Sequence, residues 1–137
     1  MDTDTEYLHS DTSDGILKCF YRVYNELGIG FLESVYEKAL CQELCEYGFN
    51  VESQIPIQVY YKGKNVGNFK ADVIVDNKVM IELKAARAMD PLFEAQLLNY
   101  HRATEIEVGL LLNFGPKPHI KRLLFDNSRK DIKRMPF

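Results

Sequence analysis

Apolar positions recur every three to four residues near the start of the chain, where Ile16, Phe20, Val23, Tyr24 and Leu27 form one stripe after Asp14-Gly15. That spacing predicts a helix, which Gly28-Ile29-Gly30 stops. Leu32, Val35, Tyr36, Ala39, Leu40 and Leu44 repeat the pattern up to Gly48 and predict a second helix, packed on the first as a hairpin. From Val51 the period falls to two. Ile55, Ile57, Val59 and Tyr61 alternate with polar residues, Lys62-Gly63-Lys64-Asn65 reads as a turn, and the pattern predicts antiparallel strands at 53–61, 66–75 and 79–85. Asp90-Pro91 suits a helix start, so a third helix is expected over 91–103. Val108-Gly109-Leu110-Leu111-Leu112-Asn113-Phe114 is apolar along its length, as in a central strand covered on both faces. Gly115-Pro116-Lys117-Pro118 connects it to a last strand at Ile120–Phe125. The order α-α-β-β-β-α-β-β implies an α/β (α+β) domain with a mixed sheet of about five strands, the third helix forming a parallel crossover.

Composition adds bounds. With 137 residues, 46% of them hydrophobic and 27% charged, the chain matches one globular domain with its own core. No apolar run approaches the ~18 residues of a membrane span. The N-terminal stretch is acidic where a secretory leader would be basic and then apolar, and three cysteines fit a reducing compartment, so a cytoplasmic protein is expected. The net charge of -3 is unevenly spread: residues 1–14 hold five acids and no Lys or Arg, whereas 116–137 hold seven Lys/Arg against Asp126 and Asp131. Residues 1–13 are expected to be flexible. Lys117, Lys121 and Arg122, with the basic tail 128–137, could track phosphates or could simply keep a chain end solvated.

The candidate chemistry lies in KADVIVDNKVMIELKA, residues 70–85, where charges interrupt two strands. Carboxylates are costly in buried strands unless paired. Glu82 and Lys84 are two apart and share one face. If Asp76-Asn77 is a two-residue loop, Asp72 lies opposite Ile81 and faces the other way; if Asp76-Asn77-Lys78 forms the loop, Asp72 lies opposite Glu82. Opposed carboxylates repel unless a cation intervenes, and these oxygen ligands suit Mg²⁺ or Mn²⁺. Alternatively both acids sit at strand ends in water, with Lys84 as a salt-bridge partner. Glu33 falls at the edge of the second helix's apolar stripe, and Gln96 and Tyr100 share a face of the third helix with Phe93 and Leu97. Cys41 and Cys45 lack the further ligands of a zinc site and read as core thiols. Tyr60, Tyr61 and Phe69 read as packing residues.

Gly30-Phe31-Leu32-Glu33-Ser34-Val35-Tyr36 resembles the naming pattern of the GxxExxY family, placed in the PD-(D/E)xK nuclease superfamily. The resemblance extends from about residue 15 to 127 and includes Tyr60-Tyr61-Lys62-Gly63, Asp72, Ile81-Glu82-Leu83-Lys84-Ala85, Gln96-Leu97-Leu98-Asn99-Tyr100 and Leu111-Leu112-Asn113-Phe114-Gly115. It implies a restriction-endonuclease-like core and metal-dependent hydrolysis of phosphodiesters, with nucleic acid, DNA foremost, as substrate. Asp72, Glu82 and the Leu83 carbonyl would be Mg²⁺ or Mn²⁺ ligands, with Glu33 completing the shell. Lys84 would orient the attacking water, while Gln96 and Tyr100 match the QxxxY element of RecB-type nucleases. A binding or regulatory module with the same fold and little turnover is the other expectation, and a homodimer is compatible with both.

Overall fold

A computed structural model describes residues 8–125. The elements follow the expected order: α1 (Ser10–Leu27), α2 (Glu33–Tyr47), β1 (Val51–Tyr61), β2 (Lys64–Val75), β3 (Val79–Lys84), α3 (Pro91–Arg102), β4 (Val108–Phe114) and β5 (Pro118–Leu124). The strands make one sheet in the order β1-β2-β3-β4-β5. β3 and β4 are parallel, joined by the α3 crossover, and the other neighbours are antiparallel. This is the mixed α+β architecture expected of a restriction-endonuclease-like core.

Successive strand residues point to opposite faces, so the sheet carries two cores. On one side Val73, Val75, Val79, Ile81, Leu83, Leu110 and Leu112 bury against Ile16, Phe20 and Val23 of α1 and Tyr36, Leu40 and Leu44 of α2. On the other, Ile74, Met80 and Leu111 pack with Leu97 of α3. β4 lies between both layers and is buried at every residue, as its unbroken apolar run predicts.

Several boundaries differ from expectation. α1 begins at Ser10, with Thr12 and Ser13 buried, so part of the segment expected to be flexible is helical; residues 1–7 and the basic tail 128–137 lie outside the described residues. Gly15 is interior to α1 because a Cβ there would come within 2.6 Å of the Phe49 ring, which stacks on Tyr47. The β1-β2 turn is only Lys62-Gly63, both left-handed at φ 50° and 78°, while Lys64 and Asn65 pair with Tyr61 and Tyr60. Two left-handed residues match the strand twist and shorten the turn expected from composition. β5 starts at Pro118, two residues early, since its pairing with Phe114 extends to the end of β4.

Candidate active site

The β2-β3 connection decides where Asp72 goes. Val75 pairs with Val79, Ile74 with Met80 and Val73 with Ile81, leaving Asp76-Asn77-Lys78 as a three-residue loop. Asp76 and Asn77 are left-handed (φ 52° and 54°), a conformation Asp and Asn tolerate, and Asp76 exchanges hydrogen bonds with Asn50. Of the two registers, this one sets Asp72 against Glu82. Their side chains share a hydrogen bond. The Leu83 backbone N–H donates to Asp72 Oδ2 at 2.9 Å. Glu82 is 7% exposed. Burial first, then the hydrogen bond to Asp72 and its charge, push the Glu82 carboxyl up to about 9, with Lys84 opposing. A strand-end acid in water, the alternative, would not be so shifted.

Lys84 follows on the same face of β3, half-buried, with Nζ 4.5 Å from the Phe93 ring centroid of α3. Phe93, Gln96 and Tyr100 lie along one side of that helix, set by an N-cap in which Asp90 accepts from the Leu92 N–H at 2.9 Å. Tyr100 stacks on Phe69 at 3.8 Å between centroids. Burial, then the charges of Glu82 and Asp72, raise its phenol above the ordinary range.

Glu33 arrives from the other layer. The Ala85 N–H donates to its Oε2 at 3.4 Å, just past Lys84. Tyr36 holds the loop ahead of it: the buried ring stacks on Phe114 at 4.4 Å, while its hydroxyl donates to the Gly28 carbonyl at 2.6 Å and accepts from the Phe31 N–H at 3.3 Å. The exit of β3 is clamped as well. Asn113 Oδ1 accepts from the Ala86 N–H at 2.9 Å and Nδ2 donates to the Ala86 carbonyl at 3.0 Å, which prolongs the β3-β4 pairing by one side chain. A Cβ on Gly115 would come within 2.0 Å of that carbonyl, so only glycine fits there.

Two further polar residues border the acids and were not among those expected. Glu37, one turn after Glu33, accepts from Gln54 Nε2 at 2.7 Å. Burial raises its carboxyl, the Gln54 hydrogen bond opposes this, and the Asp72 and Glu33 charges add to the rise. Gln54 occupies the β1 position opposite Asp72, left-handed at φ 52°. The i, i+4 spacing of Glu33 and Glu37 was the available signal.

The expected phosphate-tracking residues divide. Lys117 is exposed beyond β4, and Lys121 sits on the α3 side, 4.0 Å from Glu94. Arg122 turns to the opposite face and donates to the Leu8 carbonyl at 2.7 Å. Cys41 is half-buried, its thiol pushed up to about 11 by burial, but Cys45 is exposed and is not a core thiol, because it lies on the outer side of α2. Phe69 packs as expected, whereas Tyr61 is 61% exposed. A cleft of about 600 Å³ lies along β1, between Ile55, Ile57, Tyr60 and Thr104, and is lined by neither Asp72 nor Glu82 nor Glu33.

Sequence comparison bears on this arrangement. The pattern of the PD-(D/E)XK nuclease superfamily matches residues 10–123, from α1 into β5. The chain belongs to that superfamily. Among solved structures, this superfamily member is similar to one described as "Crystal structure of SSO0001", at 21% identity and TM-score 0.55. The match covers 88% of the chain and spans only 60% of that structure's length, which shows a shared fold. No curated protein matches the chain. Within the superfamily's fold, Asp72 and Glu82 offer oxygen donors of the kind a hard divalent ion takes, and Lys84 is the cation whose charge opposes the rise of the buried Glu82 carboxyl. Among the described residues no three His, Cys, Asp or Glu side chains converge on one point, so these two acids would need backbone or solvent oxygens, or Glu33, to complete a shell.

Proposed function

We propose that the protein is a nuclease of the GxxExxY type that hydrolyses phosphodiester bonds in nucleic acid, DNA foremost, with Mg²⁺ or Mn²⁺. The observation that carries this reading is the placement of Asp72 against buried Glu82, two residues before Lys84 on the same face. A superfamily nuclease domain supports the reaction class. When bound, the divalent ion supplies Lewis-acid polarisation of the scissile phosphate and makes water acidic enough to attack near neutral pH.

The residues divide the remaining work. Asp72, Glu82 and the Leu83 carbonyl would hold the ion, and Glu33 would join from the start of α2. Lys84 orients the attacking water and offsets charge that grows on the phosphate oxygens. Gln96 and Tyr100 guide the substrate strand past the acids, with Lys117 and Lys121 available to phosphates at the sheet edge. Because its side chain is committed to Leu8 on the opposite face, Arg122 contributes least. The three cysteines, all free, accord with a cytoplasmic setting.

A binding or regulatory module with little turnover is favoured by one feature: Glu33 is exposed and accepts from the Ala85 N–H, and its charge acts on Glu82 less than those of Asp72 and Lys84 do. Linear double-stranded and single-stranded DNA, incubated with the protein and Mg²⁺ or Mn²⁺, separates the two. Products that EDTA prevents are expected. Lys84→Ala should keep the fold and lower cleavage by about 10²–10³-fold, the cost of losing a group that stabilises developing charge; undiminished cleavage by that variant would remove Lys84 from the mechanism.

A further inference from the structure

Lys84 is a cation beside an acid pair, yet among the described residues it forms no ion pair within 4.0 Å. What it does contact is an aromatic face: Nζ lies 4.5 Å from the centroid of Phe93. The ring itself is well anchored. It sits in the first turn of α3, where the Phe93 N–H donates to the Asp90 carbonyl at 2.9 Å and the Asp90 side chain caps Leu92. It packs against the cluster of Met80, Leu97 and Leu111, and the next residue, Glu94, reaches Lys121 of β5 at 4.0 Å.

From this geometry we infer that Phe93 is a positioning residue, which holds the Lys84 ammonium over its ring and away from Glu82 so that its N–H donors stay available to the substrate phosphate. The inference rests on the proposed nuclease function and deepens it. A lysine has four rotatable stem bonds and three donors, and an unrestrained one next to an acid pair would fold onto the carboxylates. An aromatic face attracts the ammonium through its quadrupole but has no lone pair that takes up an N–H, so the amine is localised without being consumed. A carboxylate partner would localise it equally well and use its donors. The same helix face carries Gln96 and Tyr100, so one rigid element sets the lysine and the two other candidate substrate contacts together.

The test compares wild type, Phe93→Leu, Phe93→Met and Phe93→Tyr as full chains, with circular dichroism showing that each is folded; Met keeps a flexible apolar filler should Leu fail to fold. Cleavage with Mn²⁺ should show kcat reduced about 5- to 30-fold in the Leu or Met variant, the loss expected of a partly desolvated cation–π contact, with KM within about 2-fold, and recovery in Phe93→Tyr. Because Tyr restores ring volume as well as the quadrupole, the position of the Lys84 side chain is what separates positioning from packing. Independently of turnover, the Lys84 ε-methylene protons should resonate upfield in wild type and Phe93→Tyr, from the ring current, and return toward the free-lysine position in Phe93→Leu or Phe93→Met. Unchanged kcat in the non-aromatic variants, or identical ε-proton positions across the series, overturns the role of Phe93. If wild type itself cleaves nothing, the nuclease proposal fails, and the proton shifts alone still decide whether Phe93 positions Lys84.

Discussion

Glu82 shows most directly how one residue's surroundings set its chemistry. Its carboxyl, ordinarily near 4.5, is raised to about 9 by burial and by Asp72, so the folded, metal-free protein holds a proton there at neutral pH. The folded state therefore favours the protonated acid. Its contribution to stability is complete below about 4.5 and is lost as pH rises through about 9. In EDTA, the melting temperature of wild type should fall between pH 5 and pH 9 relative to Glu82→Gln, which carries no titrating group at that position; parallel curves for the two proteins would show that the acid is not buried as described. The residue types Asp72, Glu82 and Lys84 and the shared face of the last two were legible from spacing. The pairing of Asp72 with Glu82 was not, because it turned on one residue of loop length, and that length depends on Asp76 being tied to Asn50 from another part of the chain.

At the scale of elements, the parts that matter most to the site are the ends of α2 and β3. The Tyr36 hydroxyl bonds to backbone and not to the acids. Tyr36 fastens the Gly28–Phe31 backbone through its hydroxyl and anchors it on Phe114, and this sets where Glu33 begins its helix. Tyr36→Phe keeps the stacked ring and removes the fastening. Leaving the Gly28 carbonyl and Phe31 N–H without it should cost about 1–2 kcal/mol, a drop of roughly 3–8 °C in melting temperature for a domain of this size. Amide exchange at Phe31 should quicken in the same variant. An unchanged melt and unchanged exchange would mean that the loop is held by packing alone. Asn113 and Gly115 act in the same manner on the exit of β3, where the carboxamide mimics a backbone pair and the missing Cβ admits the Ala86 carbonyl. Helical and strand periodicity placed all eight elements in order, since burial on one face leaves its period in the residues. It misjudged the start of α1, because Gly15 looks like a boundary until the Phe49 ring is brought against it.

For the whole molecule, two cores on one sheet leave the acids at the level where α2 meets the end of β3 and α3 crosses from behind. If Asp72 and Glu82 hold a divalent ion, the ion binds the folded chain and not the unfolded one, and mass action stabilises the protein. Free Mn²⁺ at 100 times its dissociation constant should add about 2.7 kcal/mol, seen as a higher melting temperature that Asp72→Asn does not share. Equal melts for the two proteins in Mn²⁺ would speak against the site. The fold was largely determined by the linear order of residues: a period of 3.6 or 2, a capped helix start at Asp90-Pro91 and an unbroken apolar run at 108–114 each follow from local geometry and from which faces must leave water. Several site relations were decided only by tertiary structure. The register that sets Asp72 on Glu82, the approach of Glu33 to Ala85, the ring beneath Lys84 and the entry of Glu37 and Gln54 at the border are contacts between segments distant in sequence. Val73, Ile74 and Val75 of β2 and Val79, Met80 and Ile81 of β3 are buried on both faces of the sheet, so the hydrophobic pattern fits either register, and it does not record where one helix end meets another strand.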